Sequence, residues 1–188
     1  MTGSIRLSAE AEAKIQELRS RYPQSNSAVM PALYIAQGEL GWISEEAVAW
    51  VSARLDMPPS HILEVSTFYT MYYKKPVGQY HIQLCRTLSC MICGARELAA
   101  YITKRIGVPA HSITPCGTWS YEEVECLGSC GTAPMIQIND RFFENLTVES
   151  LGNLMDEIER EKPKLRYSNI SESIDLDLKN HPISQILN

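Results

Sequence analysis

All six cysteines of this 188-residue chain lie between Cys85 and Cys130, while residues 1–76 hold none. What those thiols do decides how the middle of the chain must fold, because turns that share a ligand have to converge. The N-terminus, Met1 to Ala13, lacks the apolar region of a secretory signal, and early Glu10 and Glu12 with Arg6 as the sole base before Lys14 do not suit a transit peptide. No uncharged apolar run approaches the roughly 20 residues a bilayer-spanning helix needs. The expected setting is a bacterial or archaeal cytoplasm, where structural disulfides are disfavoured. Metal ligation, redox chemistry or buried free thiols remain.

The charge balance narrows the partners. With 17 Lys+Arg against 22 Asp+Glu, the formal net charge is -5 and the sequence pI is near 5.4. Nucleic acid and anionic membranes both call for a clustered positive field, and no basic stripe is present. Residues 1–76 carry 7 bases and 8 acids, residues 77–162 carry 7 and 11, and residues 163–188 carry 3 and 3. The acidity therefore sits in the segment that holds the thiols.

Patterning divides the chain into a helical N-terminal domain over 1–76, an α/β domain over 77–162 and an extension over 163–188. In the first, Ala11, Ile15, Leu18 and Tyr22 recur on one helix face behind a Ser8 cap, ended by Pro23. Ser27 is expected to cap a second helix bearing Met30, Leu33 and Ile35, with Pro31 near its first turn and Gly38 and Gly41 at its end. Ser44, followed by Glu45 and Glu46, opens a third with Val48, Val51 and Leu55 inside, stopped by Pro58 and Pro59; Ser60 is expected to cap a short fourth through Val65. Beyond them the period changes. Gln79 to Cys85 alternates as a strand, a loop follows, and Leu98, Tyr101, Ile102 and Ile106 mark a helix closed by Gly107 and Pro109. Tyr121 to Cys126 reads as a second strand. Met135–Ile138 and Arg141–Glu144 form a hairpin about Asn139-Asp140, and a last helix from Thr147 buries Leu151, Leu154 and Ile158. In the extension Ile174, Leu176 and Leu178 alternate briefly. The fold class is a helical bundle followed by a small α/β layer structure.

Three cysteine arrangements compete. Cys85-x4-Cys90 and Cys126-x3-Cys130, separated by 35 residues, form two pairs suited to a four-thiolate [2Fe–2S] site, each pair holding one iron. Leu127-Gly128-Ser129-Cys130-Gly131 has the glycines to bring backbone amides close to sulfur. Alternatively, Cys90-Met91-Ile92-Cys93 sits between strand and helix as a thioredoxin-like dithiol should, with Ala133-Pro134 before a later strand. That arrangement leaves Cys85, Cys126 and Cys130 without a role. Cys85, Cys90 and Cys93 also match the start of the plant-type ferredoxin spacing, and thiolates alone do not choose between iron and zinc. Cys93 and Cys116 read as small buried hydrophobes or incidental thiols, Arg86 as a solvated loop residue, Glu122-Glu123 as a solvated edge, and His61, His81, His111 and His181 show no ligand spacing. No Walker loop, G-x-G-x-x-G, H-E-x-x-H or nucleophile elbow occurs, so no motif for binding NADH or flavin is visible in this chain.

The run Val124-Glu125-Cys126-Leu127-Gly128-Ser129-Cys130-Gly131-Thr132-Ala133-Pro134-Met135, continuing to Asp140, resembles the second cysteine pair of a known family. That family is the [2Fe–2S] subunit of respiratory complex I, known in bacteria as NADH–quinone oxidoreductase. His81 to Cys85 with Leu88-Ser89-Cys90 resembles its first pair. Gln37 through Gly41-Trp42-Ile43-Ser44 and Ser66-Thr67-Phe68-Tyr69-Thr70-Met71-Tyr72 resemble its helical N-terminal domain. The similarity spans about residues 8–160. It implies a thioredoxin-like [2Fe–2S] ferredoxin domain whose single cluster is held by Cys85, Cys90, Cys126 and Cys130. It also implies an electron-transfer role with no catalytic residues in this chain, which would exchange single electrons with the FMN of a partner that binds NADH. Further iron–sulfur subunits and a peripheral position on the inner face of the cytoplasmic membrane follow from the same resemblance. Related proteins serve NAD-linked hydrogenases and formate dehydrogenases. Cys93, Cys116 and the tail after Glu161 fall outside what it carries over.

Overall fold

Helix caps and prolines set the boundaries of the first of two compact units, which meet between Lys75 and Pro76 in the computed structural model. The structure describes residues 5–165. Helix α1 (Ala9–Arg21) starts at Ser8, whose hydroxyl accepts from the Ala11 amide at 3.1 Å, and buries Ala11, Ile15 and Leu18. Tyr22, expected on that face, is the C-cap in extended geometry and stays exposed. A 3-10 turn over Ser25–Ala28 precedes α2 (Val29–Leu40), so Ser27 is not the expected cap. Pro31 falls in the first turn of α2, where amides have no intrahelical partner to lose. Gly38 lies inside α2, which Gly41 closes. Val29, Ala32, Leu33, Ala36 and Gln37 are its buried residues, with Met30 and Ile35 only half-buried. Helix α3 (Glu45–Leu55) begins at Ser44 as expected and buries Val48, Val51 and Leu55. Helix α4 (Pro59–Phe68) starts with Pro59 in the first helical position, not behind Ser60, and outruns Val65 by three residues.

One buried polar side chain ties this unit's last turn to its core. Gln37 is fully buried, and its amide donates to the Met71 carbonyl at 2.9 Å while its carbonyl accepts from the Tyr73 amide at 2.7 Å. Both ends of the side chain are matched, which burial of an amide demands.

The second unit is a five-stranded sheet in the order β2-β3-β1-β4-β5. Strand β1 (Tyr80–Cys85) runs parallel to β3 (Trp119–Val124) and antiparallel to β4 (Ile136–Ile138). Strand β2 (Ser112–Ile113) and strand β5 (Arg141–Phe143) complete the edges antiparallel to their neighbours. The parallel pair is joined by a crossover containing α5 (Leu88–Ile92) and α6 (Ala95–Ile106), as parallel strands require. Helix α7 (Val148–Glu161) packs beside α6, opened by a capping box at Thr147. It buries Leu151, Met155 and Ile158, with Leu154 partly covered. Helix α5 and strand β2 lie where a loop was expected. Strand β3 starts two residues earlier than its apolar pattern suggested, at Trp119, whose indole donates to Glu159 of α7 at 3.1 Å. The brief alternation at Ile174, Leu176 and Leu178 lies outside the described residues.

Register assigns the two faces of the sheet. Tyr80, Ile82 and Leu84 lie opposite Trp119, Tyr121 and Glu123, and with Ile136 and Ile138 they build the core with Leu98 and Ile102 of α6. His81, Gln83 and Cys85 face the other way, opposite Ser120, Glu122 and Val124. All six β1 residues are buried. The polar row is satisfied internally: Ser120 Oγ lies 2.8 Å from His81 Nδ1 and accepts from the Gly78 amide at 2.8 Å. Glu122, expected on a solvated edge, is instead the hub of this row, with His81 Nε2 at 3.1 Å and the Gln83 amide donating at 2.7 Å. Burial opposes ionisation of Glu122, but the His81 and Gln83 hydrogen bonds, with charge on His81 and His111, outweigh it and hold its carboxyl below the usual range.

Two outcomes test this packing. A Cβ on Gly78 would lie 2.6 Å from the Trp119 carbonyl carbon and 2.7 Å from the Ser120 amide nitrogen, both backbone. Gly78→Ala is expected to destabilise the protein by about 1–3 kcal/mol in urea unfolding. Gly152→Ala meets only the movable Tyr101 hydroxyl at 2.7 Å, and gains about 1 kcal/mol of helix propensity in compensation, so it should come out near neutral. Because the folded pKa of Glu122 is depressed, its contribution is complete above the unfolded carboxylate value and is lost as pH falls through the folded one. Glu122→Gln should therefore flatten the acid limb of stability against pH below about pH 5, read from urea midpoints.

Candidate metal centre

Two neighbouring strands end at the same edge of the sheet and deliver the thiols. Cys85 is the last residue of β1 and lies opposite Val124, the last of β3, and the Arg86 amide continues the ladder to the Val124 carbonyl at 3.0 Å. The chain after β1 turns into α5, which carries Cys90. The chain after β3 enters the Cys126–Cys130 loop, which closes in a short 3-10 turn over Cys130–Thr132. Glu144, just beyond β5, fastens that loop by accepting from the hydroxyls of Ser129 and Thr132. The Asn145 amide donates to the Thr132 carbonyl at 2.8 Å.

The thiols stand as two unlike pairs. Cys85 and Cys90 are buried, 1% and 2% exposed, and interact with each other; Cys126 and Cys130 are exposed, with their sulfurs 3.5 Å apart. Each pair has one thiol held down and one pushed up. Burial would raise Cys85, but the hydroxyl and amide of Thr87, the Leu127 amide and Cys90 together lower it. Burial pushes Cys90 up to about 11, reinforced by Cys85 and opposed by the Met135 amide. The Gly128 amide, 3.4 Å from the Cys126 sulfur, lowers Cys126, whereas hydrogen bonding to Cys126 and its charge raise Cys130. Gly128 has φ 89°, a left-handed turn that a side chain would disfavour and that swings this amide onto sulfur. Cys85 exerts its charge on both Cys126 and Cys130, so all four thiols share one electrostatic neighbourhood.

Among the described residues no group of three or more His, Cys, Asp or Glu side chains is set to hold a metal ion. The candidate donors that the resemblance implies are the four sulfurs of the two pairs, with backbone amides and the Thr87 hydroxyl beside them. Such a set fits a binuclear iron–sulfur core, in which each iron takes two thiolates. Cys93 ends α5 and is exposed, while the buried Cys90 interacts with Cys85. Cys116 is exposed in the turn before β3, where the Thr114 and Thr118 hydroxyls lower it to about 7. Arg86 pairs with Glu125 at 2.9 Å on the surface. Thr87 and Glu144 carry no motif that would single them out in the sequence.

Comparison with known proteins shows the family of the chain. The model of the thioredoxin-like [2Fe–2S] ferredoxin family matches residues 15–159. The chain belongs to that family. Its curated relatives include subunit 2 of the Thermus thermophilus NADH-quinone oxidoreductase, 41% identical over 128 residues, or 67% of this chain and 71% of that protein. A NADH-quinone oxidoreductase subunit from Rhizobium meliloti is 36% identical, covering 76% of this chain and 85% of its own length. Another from Rickettsia conorii is 37% identical over 78% and 89%. Among solved structures, an NAD+-reducing [NiFe]-hydrogenase in its air-oxidized state superposes with a TM-score of 0.64 at 21% identity. The match covers 72% of this chain but only 23% of the hydrogenase chain, and speaks to the fold. The family's [2Fe–2S] centre is thus the cofactor that a four-sulfur site of this kind serves.

The unlike environments of the thiols are directly measurable in metal-free, reduced protein. Limited alkylation near pH 7.5 with peptide mass analysis should label the exposed, acidified Cys116 and Cys126 first and the buried Cys90 last.

Proposed function

We propose that the chain is the electron-transfer subunit of an NADH:quinone oxidoreductase, with Cys85, Cys90, Cys126 and Cys130 as ligands of one [2Fe–2S] cluster. The convergence of the two cysteine pairs at one sheet edge is the observation that carries this reading. Relatives 36–41% identical bear the subunit names of that complex, whereas the likeness to the hydrogenase bears on fold alone. When bound, the cluster supplies reversible one-electron redox chemistry.

The residues of this chain bind and tune. Cys85 and Cys90 grip from the buried side and keep water from that half of the site, while Cys126 and Cys130 close it from the exposed side. Amides of Leu127, Gly128 and Met135 point at sulfur and offset negative charge without a cationic side chain. Electrons come from and return to a partner that binds FMN and NADH, since this chain presents no motif for either. Leu88 and Ile92, one turn apart on α5 on either side of Cys90, are 74% and 76% exposed and suit coverage by that partner. The helical unit over 1–76 serves as a second docking element, and further iron–sulfur subunits complete the assembly. Among the described residues no helix is long and apolar enough to cross a membrane. Membership of that complex would set the protein on the cytoplasmic side, peripheral to the membrane.

Protein isolated anaerobically should be red-brown, contain about two irons and two acid-labile sulfides per chain, and give a [2Fe–2S] paramagnetic signal on reduction. Cys126→Ser should lose or alter that signal, and Cys93→Ser should leave it unchanged. Colourless protein with disulfide-exchange activity dependent on Cys90 and Cys93 would replace this reading with a dithiol oxidoreductase.

A further inference from the structure

Burial holds the inner thiols, but Cys126 and Cys130 are exposed, in a stretch whose seven residues through Thr132 include two glycines. Such a loop keeps its shape only through hydrogen bonds. The residues just after β5 supply three of them from outside the loop. One carboxylate oxygen, Oε1 of Glu144, accepts from the Ser129 hydroxyl and, at 2.5 Å, from the Thr132 hydroxyl. The Asn145 amide adds a bond of 2.8 Å to the Thr132 carbonyl. Thr132 Oγ1 also lies 3.2 Å from the carbonyl and the hydroxyl oxygen of Ser129. It has a single proton, and the carboxylate, nearest and charged, is the acceptor that takes it. Ser129 directly precedes Cys130 and Thr132 follows it by two, so one oxygen brackets the thiol on both sides. Both hydroxyl residues are half-buried, which limits competition from water.

We propose that Glu144 is a positioning residue that holds Cys130 in place as a ligand by bracketing it between Ser129 and Thr132. The inference rests on the ligand set proposed above and adds to it a side chain 14 positions beyond Cys130. Hydrogen bonds to an ionised acceptor are about twice as strong as neutral ones, and two of them on one oxygen restrain both backbone segments that flank the thiol. Without them the loop regains conformations in which the Cys130 sulfur leaves its 3.5 Å approach to Cys126. Glutamine keeps an acceptor oxygen on the same stem, whereas leucine keeps only the bulk. A carboxylate that merely solvates the surface would influence neither thiol.

The test uses anaerobically prepared full-length protein and compares wild type with Glu144→Leu, Glu144→Gln, Ser129→Ala and the double variant Ser129→Ala/Glu144→Leu. Iron release to excess chelator and the paramagnetic signal of the reduced protein are the readouts. Glu144→Leu should release iron about three- to tenfold faster, the range of one lost hydrogen bond. It should also alter the line shape of the signal, with the urea midpoint of the metal-free protein unchanged. Glu144→Gln should fall between it and wild type. Ser129→Ala should speed release on its own and add nothing to Glu144→Leu, because the hydroxyl has then already lost its acceptor. Release from Glu144→Leu at the wild-type rate, or an equal effect of Ser129→Ala with and without Glu144, would overturn the proposal and leave the ligand set intact. A urea midpoint that falls together with faster release would also overturn it, marking Glu144 as a residue of general stability. Where Glu144→Leu yields no folded protein, Ser129→Ala decides: faster release supports the proposal and the wild-type rate overturns it. Wild-type protein without a [2Fe–2S] signal would overturn the ligand assignment, and this inference with it.

Discussion

Parallel pairing of β1 with β3 is the interaction on which the site depends. It sets Cys85 opposite Val124 and so makes the loops that follow both strands leave from one edge, although 41 positions separate Cys85 from Cys126 in sequence. Parallel strands need a long crossover, and here that crossover begins with the loop and helix carrying Cys90. One connection thus satisfies the topology and supplies the second thiol of the first pair. The burial of β1 on both faces then explains why its polar residues are answered by Ser120 and Glu122: buried imidazole and amide groups must find partners within the sheet.

The chemistry around sulfur follows from backbone placement more than from charged side chains. Arg86, the base closest in sequence to the first thiol, is engaged with Glu125 on the surface. The hydroxyl and amide of Thr87 act on Cys85 from within its own loop, and amides of Leu127, Gly128 and Met135 act from the second loop and the start of the following strand region. Leu127 and Met135, more than thirty positions away in sequence, thus serve the first pair and join the two loops into a single unit.

Much of this was legible in the residues. Ser8 and Ser44 with apolar positions behind them located two helices, and the alternation of Gln79–Cys85 and the Asn139-Asp140 turn located the first strand and the hairpin. The two cysteine pairs and their flanking runs pointed to the family. Local signals misled where tertiary context decided: Ser27 and Ser60 look like caps, but Ser27 lies within a 3-10 turn and Ser60 lies inside α4, behind its Pro58 cap. Glu122-Glu123 looks like a solvated edge, because a carboxylate buried by a partner on another strand has no mark in its own neighbourhood. Helix α5 has five residues, too few to show a period, so the element that presents Cys90 was invisible.

The asymmetry between the two cysteine pairs bears on how the metal-free chain meets an oxidant. The outer sulfurs, 3.5 Å apart and open to solvent, need to close only to about 2.05 Å to form a disulfide. The inner pair is shielded by burial. In a chain awaiting its metal the outer pair, unlike the inner one, is thereby open to forming a disulfide, a bond that thiol reductants can reopen.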